Sequence, residues 1–148
     1  MKSTHWTDKT LAEVKADIVA RIGLRHPFLG VDPAIVHEVV ERLTSLERDL
    51  WAEEWSRVAE RFRLQGEALA ASGEVSRAAE DYFRAYKVFT LARYPTPVNQ
   101  KKRQAYRRAV ESYLAAARFF DPPLERVVIP FEEKSIVAYL RLPPGSGP

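Results

Sequence analysis

The 148 residues include no cysteine, which excludes disulfides, thiolate metal sites and cysteine nucleophiles together. No apolar run approaches the roughly eighteen residues that a membrane-spanning helix needs. Glycine is scarce, and its 6 copies form neither GxGxxG nor GxxxxGK[ST], so a backbone cradle for phosphate is missing. The nucleophile elbow GxSxG is missing as well. Gly145-Ser146-Gly147 has the wrong spacing, and without a strand–turn–helix elbow a serine has no reason to be activated. His5, His26 and His37 stand apart in the chain. The zinc-like string His37-Glu38-Val39-Val40-Glu41 lacks the second histidine of HExxH, and Ala34 stands where a carboxylate-bundle site requires a glutamate. No catalytic residue, metal ligand or cofactor site is therefore predicted. The first 21 residues carry Asp8, Glu13 and Asp17 and lack the apolar core of a secretory signal, so a cytoplasmic protein is expected.

What is present is an apolar fraction of 46%, too high for intrinsic disorder and sufficient for one core in a chain of this length. The net charge of +3 conceals an asymmetry. Residues 1–60 carry 8 basic and 11 acidic side chains, residues 61–120 carry 12 and 5, and the remainder 3 and 4. The basic middle third either lies against the acidic first third or attracts an acidic partner.

Hydrophobic spacing predicts three long helices. Trp51, Trp55, Val58, Phe62 and Leu69 keep to one face of the first, which ends at Ser72-Gly73. The second follows within three residues, which makes the pair antiparallel, and places Val75, Ala79, Tyr82, Tyr86 and Phe89 on its buried side. It stops before Tyr94-Pro95-Thr96-Pro97. The third starts near Asn99, presents Tyr106, Ala109, Val110, Tyr113, Ala117 and Phe120, and ends at Asp121-Pro122-Pro123. Two shorter helices precede them, over about 8–22 with a Thr10/Glu13 capping box and about 33–46 with Asp32 as N-cap and Pro33 at the first position.

After Pro123 the period becomes 2. Val127, Ile129 and Phe131 alternate with polar or smaller neighbours, as do Ile136, Ala138, Leu140 and Leu142, around Glu132-Glu133-Lys134. The expected fold is mainly α, antiparallel helical hairpins or a bundle followed by a C-terminal β-hairpin. Its divisions are a helical cap-like region over 1–123, a β-hairpin over 124–142 and a flexible tail over 143–148. Two strands alone are marginal in water, so the hairpin should be docked on the helices or paired across a dimer.

Two groups of side chains are candidates for binding. Lys101, Lys102, Arg103, Arg107 and Arg108 cluster at the start of the last helix, where positive charge opposes the helix dipole and requires a compensating partner. A phosphate backbone with Tyr106 stacking is one such partner, although the cluster is too short to make nucleic acid the favoured one. Acidic side chains such as Glu38, Glu41, Glu53 and Glu54 are another. Tyr86, Phe89 and Tyr94 are the candidates for an apolar pocket wall.

The order of segments adds a resemblance. Trp51 to Phe89, Ala92-Arg93-Tyr94-Pro95, Tyr106-Arg107-Arg108-Ala109-Val110, the stretch Asp121-Pro122-Pro123-Leu124-Glu125-Arg126-Val127-Val128-Ile129-Pro130-Phe131, and Ala138-Tyr139-Leu140-Arg141-Leu142-Pro143 follow one spaced pattern. It resembles the N-terminal part of α/β-hydrolases related to dihydroxypseudooxynicotine hydrolase and its associated esterases. The resemblance runs from about Trp51 to Pro144 and departs at Glu133, where the hairpin turn is expected to hold glycine.

It implies a helical region that helps cover an active site and contributes dimer contacts, then the first strands of a hydrolase sheet. It also implies that the family's serine, acid and histidine would lie beyond Pro148. On that reading this chain alone is inactive, takes a small-molecule substrate only with a hydrolase core, and forms a homo-oligomer or awaits that core. The competing reading is a self-contained helical module that binds an acidic protein or nucleic acid.

Overall fold

A computed structural model describes residues 9–145, so His5, Asp8 and Ser146 to Pro148 lie outside the described residues. The fold is mainly helical. Its elements are α1 (Leu11–Val19), α2 (Pro33–Arg42), α3 (Arg48–Ala71), α4 (Val75–Arg93), α5 (Gln100–Ala117), β1 (Glu125–Phe131) and β2 (Lys134–Leu140).

Local chemistry sets the helix ends. The Thr10 hydroxyl accepts from the Glu13 N–H while the Glu13 carboxylate accepts from the Thr10 N–H, completing the predicted capping box. Asp32 caps α2 by accepting from Ala34 N–H, with Pro33 at the first position. At the other end of α3, Gly73 adopts φ +82°, and Glu74 N–H and Gly73 N–H donate to the carbonyls of Leu69 and Ala70. That pair of bonds is a Schellman closure, and it reverses the chain into α4. The first two helices are shorter than their periodicity implied. The chain leaves α1 after Val19 for a series of turns, and Leu43 takes an extended conformation that ends α2 ahead of the predicted Leu46.

α4 lies between α3 and α5 and packs along both, while α3 and α5 touch less extensively. Predicted and observed faces agree for α3, where Trp51, Trp55 and Val58 are buried. For α4 and α5 they agree in part: Tyr82, Phe89, Ala109 and Ala117 are buried as expected. Val75 and Tyr106 are exposed, and the buried lines are Ala78, Asp81, Tyr82, Ala85, Val88, Phe89, Leu91 and Ala92 on α4, and Lys102, Ala105, Ala109, Ser112, Ala116 and Ala117 on α5. Apolar periodicity weights large rings, whereas a helix flanked on two sides buries small residues at its closest approaches. Gly66 marks one such approach, since a Cβ there would stand 3.0 Å from the buried Tyr82 ring. Gly66→Ala in a free helix would gain about 1 kcal/mol. Here overpacking should convert that gain into a loss of about 1 kcal/mol in denaturant unfolding.

The main core joins Val14, Ile18, Phe28, Val36, Val39 and Leu43 from the first part of the chain to Trp55, Val88 and Phe89. A smaller cluster at the opposite end holds Ala78, Tyr82 and Ala116, with Phe83, Phe119 and Phe120 beside them.

β1 and β2 pair antiparallel, with Val127 opposite Ala138, Ile129 opposite Ile136 and Phe131 opposite Lys134. The loop is two residues long, and the left-handed position is Glu132 (φ +52°), one residue before the position expected to need glycine. The first alternative for the hairpin does not hold, because the ribbon extends away from the helices instead of docking on them. Val128, Ile129, Phe131, Ile136, Val137, Tyr139 and Leu140 are 39–57% exposed. Arg141, just after β2, ties the ribbon's base to the turn that follows α5, donating to the carbonyls of Asp121 and Pro122 at 3.0 and 3.1 Å and stacking 4.5 Å over Phe120.

Candidate functional site

Because α3 and α5 flank α4 with limited mutual contact, a groove of about 410 Å³ opens between them. Small side chains, Ala52 and Ala105, and the ring of Phe89 form its floor; Glu53, Arg57 and Glu60 rise from α3, and Lys101, Gln104 and Arg108 from α5. The charged walls are already paired. Lys101 bridges to Glu53 and, at 3.8 Å, to Asp49, and both acids raise its pKa, the hydrogen bond to Glu53 first. Arg57 pairs with Glu54 at 3.3 Å, and Arg108 with Glu111 at 3.1 Å. Glu60 accepts from Arg63, which holds its carboxyl below the usual range against the opposing effect of burial. The groove is therefore a solvated, internally neutralised cleft.

The five predicted cations separate on this frame. Lys102 does not belong to a surface patch: it is 4% exposed, and its ammonium donates to the Tyr94 carbonyl at the end of α4 at 2.7 Å. The negative end of the α4 dipole thus compensates a positive charge at the start of α5. Lys101 finds the acidic partner expected from the first third of the chain. Arg103 leans on the Val98 carbonyl at 3.4 Å, and Arg107 is exposed. Of the other acidic candidates, Glu38 is engaged by Arg61 at 2.8 Å and Glu54 by Arg42 at 2.8 Å, and Glu41 receives Lys15 at its backbone carbonyl at 3.3 Å.

The Glu38 carboxyl is lowered chiefly by the Arg61 hydrogen bonds, with burial opposing. A carboxyl depressed in the fold adds stability above its unfolded value near 4.3 and loses it as pH falls through the lower folded value. Glu38→Gln should consequently cost about 0.5 kcal/mol at pH 7, small because the pair is partly solvated, and nothing once the pH lies below the folded value. Urea melts at the two pH values check this.

The three pocket candidates do not converge. Phe89 is buried under the groove. Tyr94 sets its ring 5.9 Å from His26 and gives its carbonyl to Lys102. Tyr86 belongs to a half-buried set of rings, 5.1 Å from Tyr113 and 5.5 Å from Phe83, with Phe120 5.8 Å from Tyr113. Sequence reasoning missed this set because its members come from two helices and from the turn after α5. The signal available was that Phe83/Tyr86, three residues apart, and Tyr113/Phe120, seven apart, each keep to one helix face. Among the described residues, no group of three or more His, Asp or Glu could hold a metal ion, and no helix is long and apolar enough to cross a membrane.

No known protein-family profile matches the chain. It is similar to the alpha/beta hydrolase ucsC of an Acremonium species, 32% identical over 111 residues, which is 72% of this chain and 23% of that protein. The chain thus spans about a quarter of the length of the relative it matches. This likeness supports a relationship to the α/β-hydrolases, and does so at the level of that family instead of the dihydroxypseudooxynicotine hydrolases in particular.

Proposed function

We propose that these residues form the N-terminal helical region and opening hairpin of a serine α/β-hydrolase of the dihydroxypseudooxynicotine hydrolase type, acting on ester or carbon–carbon bonds. The observation that carries the reading is the hairpin. Both of its faces are apolar and both are exposed, with Ile129 and Ile136 on one side and Val128 and Val137 on the other. A ribbon apolar on two sides is built for a sheet covered by helices on both faces, the α/β arrangement. The similarity to an alpha/beta hydrolase points the same way.

In this reading the division is the one read from the sequence: residues 1–123 cover the site, 124–142 open the sheet, and 143–148 are a tail. The nucleophile, acid and histidine come from a core outside these 148 residues. Tyr86, in company with Phe83 and Tyr113, and Tyr94 keep the role of pocket wall at separate places, and Phe89 keeps it only through the groove that it underlies. The basic helix supplies no second reading, since Lys101, Lys102 and Arg108 are engaged within the fold.

The test is a chimera. Deleting the matching stretch from the Acremonium relative should abolish turnover of p-nitrophenyl esters, and inserting this chain in its place should restore a measurable part of it. The purified 148-residue chain should show none. Turnover by that chain alone, or full activity of the deleted relative, would contradict the proposal.

A further inference from the structure

The turn that carries the chain from α5 into the ribbon is short of donors for its own carbonyls, because Pro122 and Pro123 bring no N–H. Arg141 supplies them. It stands one residue beyond the Glu125–Leu140 pair that ends the hairpin ladder, and it reaches back across the base of the ribbon. Its Nη2 donates to the Asp121 carbonyl at 3.0 Å and its Nε to the Pro122 carbonyl at 3.1 Å, while its Cζ lies 4.5 Å over the Phe120 ring. One planar group thus holds three consecutive residues, a geometry that lysine cannot reproduce. Phe120 lies in turn 5.8 Å from Tyr113 and 6.5 Å from Phe83, and Tyr113 lies 5.1 Å from Tyr86. A continuous line of contacts therefore runs from the end of β2 into the rings of α4 and α5.

We propose that Arg141 is a positioning residue: acting through Phe120, it fixes the ring set of α4 and α5 at one angle to the opening strands. Two hydrogen bonds and a stacked ring constrain direction as well as distance, which a single ion pair does not. The lever arm makes that constraint matter. A strand of 7 residues is about 23 Å long, so a swing of about 20° at its base moves the hairpin tip by about 8 Å. Seen from the strands, the same swing displaces the rings of Tyr86 and Tyr113. The other cation of this corner provides a contrast. Arg118 donates to the Ala115 carbonyl at 3.4 Å and stands 5.7 Å over Phe119, contacts that stay at the end of α5. In the hydrolase reading, on which this consequence rests, the angle that Arg141 fixes is the one between the pocket wall and the sheet of the core. The positioning itself does not depend on that reading.

The chain has no cysteine, so spin labels can be placed through cysteines introduced at Glu133 in the hairpin loop and at Arg107 or Arg77 on the helices. Double electron–electron resonance on the purified chain should give narrow distance distributions. Arg141→Ala should at least double their width, and so should Arg141→Lys, which keeps the charge and loses the fork. The thermal melt of the helices should stay where it was, and Arg118→Ala should leave the widths unchanged. Broad distributions with Arg141 present, narrow ones in either Arg141 variant, or equal broadening by Arg118→Ala would each overturn the proposal. A helix melt that falls with the Arg141 variants would make the residue a stability contact and overturn it as well. In the chimera with the Acremonium relative, Arg141→Ala should raise KM for p-nitrophenyl esters about tenfold and leave kcat within about twofold, because the wall moves while the bond-breaking groups stay in place. An unaltered KM in an active chimera would overturn the consequence for the pocket. An inactive chimera would overturn the hydrolase reading, and the spin-label distances would still decide the role of Arg141.

Discussion

Trp55→Ala should destabilise the helical region by about 3–5 kcal/mol in denaturant unfolding, the cost of truncating a large buried aromatic. Trp55 has no exposed surface and sits at the centre of the main core, its ring 5.5 Å from Trp51 and 6.3 Å from Phe28. The alanine cavity would open where α3 meets both the loop before α2 and the C-terminal half of α4, elements that cannot collapse without shifting one another. A second substitution distinguishes packing from hydrogen bonding. The Trp55 indole N–H has no hydrogen-bond partner among the described residues, so Trp55→Phe removes volume and an unsatisfied donor together, and should cost less than half as much. The Trp51 indole N–H, by contrast, donates to the Leu91 carbonyl at 2.8 Å. Trp51→Phe should therefore be the costlier of the two phenylalanine variants. A change within about 0.5 kcal/mol for Trp55→Ala would place that face of α3 in solvent and contradict the fold.

Lys102→Ala should cost about 2 kcal/mol. Its ammonium satisfies the Tyr94 carbonyl at the end of α4, and its stem fills the angle between α4 and α5. Burial, and then the positive charge of Arg48, hold its pKa below the ordinary lysine value. Between that lowered value and the unfolded value near 10.4 the unfolded chain binds more protons than the folded one, so this group's contribution rises with pH there. Lys102→Met keeps most of the packing and should abolish that rise. Thermal melts of the wild type and both variants at neutral and alkaline pH check all three statements. Reversal of charge at Arg107, which lies exposed on the same helix, should leave stability within about 0.5 kcal/mol. The contrast separates a lysine that holds two helices together from cations that face solvent, although the five are nearly contiguous in the chain.

The sequence by itself determined the local features. A capping box, a proline at the first position of α2, a glycine closing α3 and a change of period after Pro123 each act over a few residues, and each appears where the residues demand it. The α3 face was legible because its large apolar residues are the ones its neighbours bury.

The tertiary structure decided what depends on more than one neighbour. α4 is covered from two sides, so alanines at the close approaches replaced Val75 and Ala79 in its most buried line, and α5 buried Lys102 while exposing Tyr106. The grouping of Tyr86 with Tyr113 and Phe120, apart from Phe89 and Tyr94, likewise depends on how α4 and α5 cross. The hairpin shows the same limit. Alternation specified which residues share a face, but a period of two says nothing about whether a face meets a helix or water. Only the direction in which the ribbon leaves α5, set where Arg141 grips Asp121, Pro122 and Phe120, left both faces open. That direction depends on contacts between residues about twenty positions apart, a separation over which local patterning carries no information.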